Sequence, residues 1–85
     1  MKKIILGIQI GDRYDEAVEV QRTLTDFGCI IKTRVGLHQQ EEYKEECTEK
    51  GLIILELVKN CGDKGKELEE RLNNIEDVKV RKMEF

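Results

Sequence analysis

Two apolar, β-rich runs joined by a charged insert constrain this chain more than any other feature. The first is CIIKTRVGLH, Cys29 to His38, and the second is GLIILELV, Gly51 to Val58. Runs of β-branched and aliphatic residues bounded by Gly and polar clusters read as strands. The segment between them, residues 39–50, is too polar to bury and reads as a long hairpin loop, with room for one helical turn around Glu41 to Glu46. The rest of the chain must pack around this pair.

Upstream, Ile4, Leu6, Ile8 and Ile10 alternate with Ile5, Gly7 and Gln9, the period of a half-buried strand. Gly11-Asp12 turns the chain, Asp12 can cap a helix, and Asp15 and Glu16 suit its positive end. Ala17, Val20, Leu24 and Phe27 follow at helical spacing, and Gly28 stands where a left-handed C′ glycine belongs. Cys29 opens the next strand as a small core residue. After Val58, Asn60 or Asp63 caps a second helix with the stripe Leu68, Leu72 and Ile75 and an i,i+4 pair of Glu67 with Arg71. Val78 and Val80 then alternate with Lys79 and Arg81 in a last strand.

The order β-α-β-β-α-β predicts one domain over residues 1–85, an α+β ferredoxin-like sandwich. Right-handed crossovers place both helices on one face of a four-stranded antiparallel sheet of order 4-1-3-2. Strict alternation puts Ile31, Val35 and Leu37 inward with Ile53, Leu55 and Leu57. It puts Ile5, Gly7, Ile30, Lys32, Arg34, Gly36, Leu52, Ile54 and Glu56 on the face without helices. Gly7 and Gly36 read as sites of close backbone approach or bulges. An apolar patch on a bare face marks an interface, so Ile5, Gly7, Ile30, Lys32, Arg34, Leu52, Ile54 and Glu56 form the expected oligomer interface of a homodimer or homotetramer.

Charge and composition narrow the function. The net charge of −3 argues against a chain that binds DNA alone by neutralising phosphates. No apolar run is long enough to span a bilayer, and the three cysteines form no CxxC pair, so the reading is a cytoplasmic chain with reduced thiols. There is no Ser, hence no serine nucleophile, and no carboxylate dyad or nucleophile–base pair can be assembled, so an enzyme is not expected. Two ligand sites compete. The turn Gly11-Asp12-Arg13 offers backbone N–H groups and a cation to a small anion, against plain helix capping. His38 and Cys47, nine residues apart on the hairpin, can hold a borderline metal if two copies share the site, against an unpartnered surface pair. The acidic residues Glu41, Glu42, Glu45 and Glu46 read as a solvated loop, and no cofactor is named by the sequence.

The strings TRVGLH (Thr33 to His38), Cys47, GLIILEL (Gly51 to Leu57) and VKVRKMEF (Val78 to Phe85) resemble the small stand-alone iron-only hydrogenase system regulators, over nearly the whole chain. That family is similar to ACT domains and to the C-terminal domain of the nickel-responsive repressor. The resemblance implies a ferredoxin-like fold, assembly through the sheets and a regulatory role beside hydrogenase maturation. ACT domains bind amino acids beside the turn after the first strand, where Gly11 and Asp12 match. The repressor takes metal through His residues on its second strand and a Cys in the next hairpin; His38 and Cys47 match, whereas Arg34 and Gly36 stand where further ligands would be. The expectation is thus a non-catalytic, homo-oligomeric, ligand-sensing regulatory domain, with a metal sensor or metallochaperone using His38 and Cys47 at a subunit interface as the alternative.

Overall fold

The structure is a computed structural model that describes residues 3–11, 14–38 and 51–85. In chain order it runs β1 (Ile4–Ile10), α1 (Tyr14–Asp26), a 3-10 turn (Gly28–Ile30), β2 (Ile31–His38), β3 (Gly51–Leu57), α2 (Asp63–Asn73) and β4 (Val78–Glu84). The strands form one antiparallel sheet of order β2-β3-β1-β4, the expected 4-1-3-2 arrangement. The insert over residues 39–50, with Cys47, lies outside the described residues, as do Asp12 and Arg13.

Alternation explains the core. Leu6, Ile8 and Ile10 of β1, Ile53, Leu55 and Leu57 of β3, and Val78 and Val80 of β4 are all buried. They meet Val20 and Leu24 of α1 and Leu68 and Leu72 of α2, the helical stripes read from the sequence. Central β1 pairs Leu6 with Leu55 on one side and Ile8 with Val80 on the other, so its inward residues sit in the middle of the core. The hydroxyl of buried Thr23 donates to the Glu19 carbonyl at 2.9 Å, which satisfies it inside α1. Arg71 of α2 ties the helices together: its guanidinium lies 3.1 Å from the Asp26 carboxylate and 5.2 Å over the Phe27 ring.

Strand β2 departs from the expected alternation. Ile31 pairs with Leu57, but Thr33 already pairs with Glu56, so two steps on β2 match one on β3. Lys32 is the extra residue of a β-bulge, and beyond it the strand has changed phase. Val35 pairs with Ile54 and is 46% exposed on the bare face, not in the core. Arg34 and Gly36 pair with Leu55 and Ile53 on the helix side, where Arg34 donates to the Gln21 side-chain oxygen of α1. The bulge therefore sits at Lys32, while nothing lies within 4 Å of a Cβ built on Gly36.

Local signals were overridden in four further places. Gly28 has no positive φ, because α1 ends in a 3-10 turn instead of a left-handed cap. Within that turn Cys29 is exposed, and Ile30 packs against the core instead of joining the bare face. Gly62 at φ 57° occupies the cap position of α2 without any side-chain cap, displacing Asn60 and Asp63 from that role. Glu67 pairs with Lys64 at 3.2 Å, because Arg71 is taken by Asp26.

The bulge makes a sharp contrast testable. Leu55→Ala should cost about 3 kcal/mol, as for a fully buried leucine, whereas Val35→Ala should cost less than about 0.5 kcal/mol, as for an exposed position. Urea denaturation measures both. A loss at Val35 comparable to that at Leu55 would restore the unbulged register.

Candidate functional site

Both helices occupy one side of the sheet, and among the described residues nothing covers the other. The register maps this bare face in rows. Val35, Ile54, Gly7 and Arg81 lie abreast; the next row holds Thr33, Glu56, Ile5 and Met83. Lys3 and Phe85 extend it by exchanging backbone hydrogen bonds at 3.1 and 2.9 Å. An apolar diagonal crosses the face from Val35 and Ile54 through Ile5 to Met83 and Phe85. Met83 is 52% and Phe85 72% exposed, which is costly in water unless the surface is used.

Charges flank the diagonal. On one side stand Lys79 and Arg81, paired with Gln9 and Gly7. On the other, Glu56 accepts from the Thr33 hydroxyl at 3.4 Å and lies 3.8 Å from both the Lys3 and Lys32 ammonium groups. Gly7 leaves a dent in the middle of the diagonal: a Cβ built there would touch only the Ile54 Cδ1 at 3.9 Å and the Arg81 carbonyl at 4.0 Å. Five of the expected interface residues, Ile5, Gly7, Leu52, Ile54 and Glu56, share this face, and Lys32 reaches it from the bulge. Ile30 and Arg34 do not. Val35, Met83 and Phe85 belong to it and were missed. Continuing the period-two pattern of β4 would have found the last two, but only the bulge reveals Val35.

The other sites are less well furnished. Gly11 follows β1, and a Cβ there would collide with the Asp77 carboxylate and lie 3.2 Å from a Glu16 carboxylate oxygen. Two acids beside this turn oppose the anion the sequence suggested. His38 ends β2, paired with Gly51, while its expected partner Cys47 is outside the described residues. Among the described residues no group of three His, Cys, Asp or Glu side chains is placed to hold a metal ion. Cys61 is half-buried, packed on the core beside Gly65.

A small cleft of about 80 Å³ opens on the helix side, between the start of α2 and the end of β4, with Leu57, Gly65, Glu69 and Lys82 in its walls. Lys82 lies 3.2 Å from Glu84 and 3.5 Å from Glu69. The Glu84 hydrogen bond first, then the charges of Glu69 and Glu84, hold its ammonium above the ordinary lysine range. The cation is thus neutralised within the cleft.

A two-layer ferredoxin-like α+β domain whose described helices lie on one face of the sheet is the class this arrangement defines. A solved structure, that of the uncharacterized protein TM1266 from Thermotoga maritima, is similar over 100% of this chain and 99% of its own, with a TM-score of 0.81 and 29% sequence identity. No protein-family model matches the chain, and no curated protein matches it. No helix among the described residues is long and apolar enough to cross a membrane.

Gly7→Ala should raise the stability of the isolated chain by about 0.5 kcal/mol, because alanine fits the strand without a clash and removes unfolded-state freedom. Thermal denaturation checks it; a loss of stability would mean that the dent is already filled.

Proposed function

We propose that this chain is a non-catalytic regulatory domain whose working surface is the bare sheet face, where two copies associate and whose occupancy is what a regulated partner senses. One observation carries the reading: the continuous apolar diagonal Val35–Ile54–Ile5–Met83–Phe85 on a sheet side that the described helices leave open. A single apolar side chain at a surface is ordinary, but a diagonal spanning four strands is a surface built to be covered. The resemblance of the strand motifs to hydrogenase-system regulators agrees with regulation over catalysis.

Electrostatics make self-pairing weak by design. Among the described residues, Lys3, Lys32, Lys79 and Arg81 meet only one carboxylate on this face, Glu56. A symmetric pairing brings the same cationic surface from both copies together, so apolar burial drives it and charge opposes it. Such an assembly is easily reversed, which suits a domain that changes partners.

Sedimentation velocity decides this. The wild type should dimerise more strongly at about 0.5 M salt than at about 0.05 M, because screening relieves the like-charge contact. Ile54→Glu should be monomeric at both, and Lys64→Glu on the outer surface of α2 should leave assembly unchanged. A wild type that stays monomeric in high salt, or an Ile54→Glu dimer, would overturn self-association through this face.

A further inference from the structure

We infer that the bare face also takes an acidic, amphipathic protein segment, which displaces the second copy. This rests on the reading of that face as the working surface and goes beyond it in naming the chemistry of the competitor. The chain as a whole is acidic, with a net charge of −3. The bare face has the opposite sign. Among the described residues, its cations Lys3, Lys32, Lys79 and Arg81 confront Glu56 alone, whereas the two helices carry Asp15, Glu16, Glu19, Asp26, Asp63, Glu67, Glu69 and Glu70 against four bases, Arg22, Lys64, Lys66 and Arg71. A chain with an acid excess has gathered bases on the apolar sheet face that the described helices leave uncovered.

The arrangement of those bases defines what fits. The apolar diagonal runs between two cationic borders: Lys79 and Arg81 on one side, and the Lys3 and Lys32 ammoniums bracketing Glu56 on the other. Four strands about 4.8 Å apart present a face roughly 14 Å wide, against a helix diameter of about 10–12 Å. One helix laid along the diagonal can place its apolar stripe on Ile54, Ile5 and Met83 and its flanking carboxylates on the two borders. Gly7 lets such a helix approach closely, because it adds no side chain of its own between Ile54 and Arg81. The sheet would then be covered on both sides.

The occupant is a protein rather than a nucleic acid because of the side chains between the cations. Single-stranded bases bind sheets by stacking on aromatic rings, and here the centre is aliphatic. The only aromatic residue on the described face, Phe85, stands at its corner. A second copy lacks the complementary charge on its own bare face. An acidic segment gains from both the apolar diagonal and its borders, and so it wins at low ionic strength, where self-pairing is weakest.

The probe is a fluorescein-labelled synthetic helix with a leucine stripe flanked by glutamates, titrated with the full chain and read by anisotropy. The same helix with lysine flanks and a labelled oligothymidine serve as comparisons. The glutamate helix should bind at least tenfold more tightly than the lysine helix at about 0.05 M salt and lose that advantage near 0.5 M. Arg81→Glu and Ile54→Glu, each with an unchanged circular dichroism spectrum, should weaken it at least tenfold, and Lys64→Glu should not. Sedimentation of the mixture should show the dimer giving way to a one-to-one complex. Equal binding of both helices, insensitivity to Arg81→Glu, tighter binding of oligothymidine, or no binding at all would overturn the proposal. If the chain still dimerises through Ile54 when the peptide fails, the working-surface reading survives and the acidic competitor does not. If Ile54→Glu changes neither, both fall.

Discussion

Two helices can clothe only one side of a four-stranded sheet, and that shortage governs the rest of this structure. The described residues yield strands enough for a sheet and two stripes to pack on it, Val20–Leu24 and Leu68–Leu72. The inward residues of β1 and β3 pair directly, Leu6 with Leu55 and Ile8 with Ile53, so the core is concentrated at the sheet's centre. The first residues of β1 and β2 contribute less: Ile4 and Ile31 are only partly buried. A small domain of this kind has little apolar area to spare. Even so, it leaves Ile54, Ile5, Met83 and Phe85 outside.

Much of the architecture was legible in the residues because local and global signals agree there. The alternation in Ile4–Ile10 and Gly51–Leu57, the helical spacing of Leu68 and Leu72, and the handedness of crossovers together specify the strand order. Legibility failed where one residue of backbone changes a whole strand. Ile31, Val35 and Leu37 fit an unbroken inward pattern, and nothing in their identities reveals that Lys32 is skipped by the ladder. The consequence fell directly on the candidate site, exchanging Val35 for Arg34 on the bare face. Cap chemistry misled in the same way: Asn60 and Asp63 are good cap residues, yet Gly62 at positive φ holds that position. The turn at Gly11 was legible as a turn, but not as a place crowded by Asp77 and Glu16, which arrive from elsewhere in the chain.

Charge is distributed by side rather than by sequence. Lys79 and Arg81 alternate with Val78 and Val80, so the strand period alone sends the cations to the bare face and the valines to the core. Further along the same strand, Lys82 turns inward, where Glu69 and Glu84 hold it. The helices, rich in carboxylates, carry their acids on the opposite side of the sheet from the cationic borders. The molecule is polarised through its thickness, a property that its net charge conceals and that sets how it meets an approaching surface before contact.

The extra residue at Lys32 has a consequence for how this edge can change. A substitution on β2 alters one contact, and deletion of Lys32 would close the bulge with Thr33 and Val35 still outward, but drawing Lys32 into the ladder would turn the outer half of the strand over, trading Thr33 and Val35 for Arg34 and Gly36 on the exposed side. The chemical character of that border is thus written in whether one residue joins the ladder rather than in side-chain identity. A change of pairing at this one position would act as a switch of surface type, reversible in one step and silent to any comparison of composition.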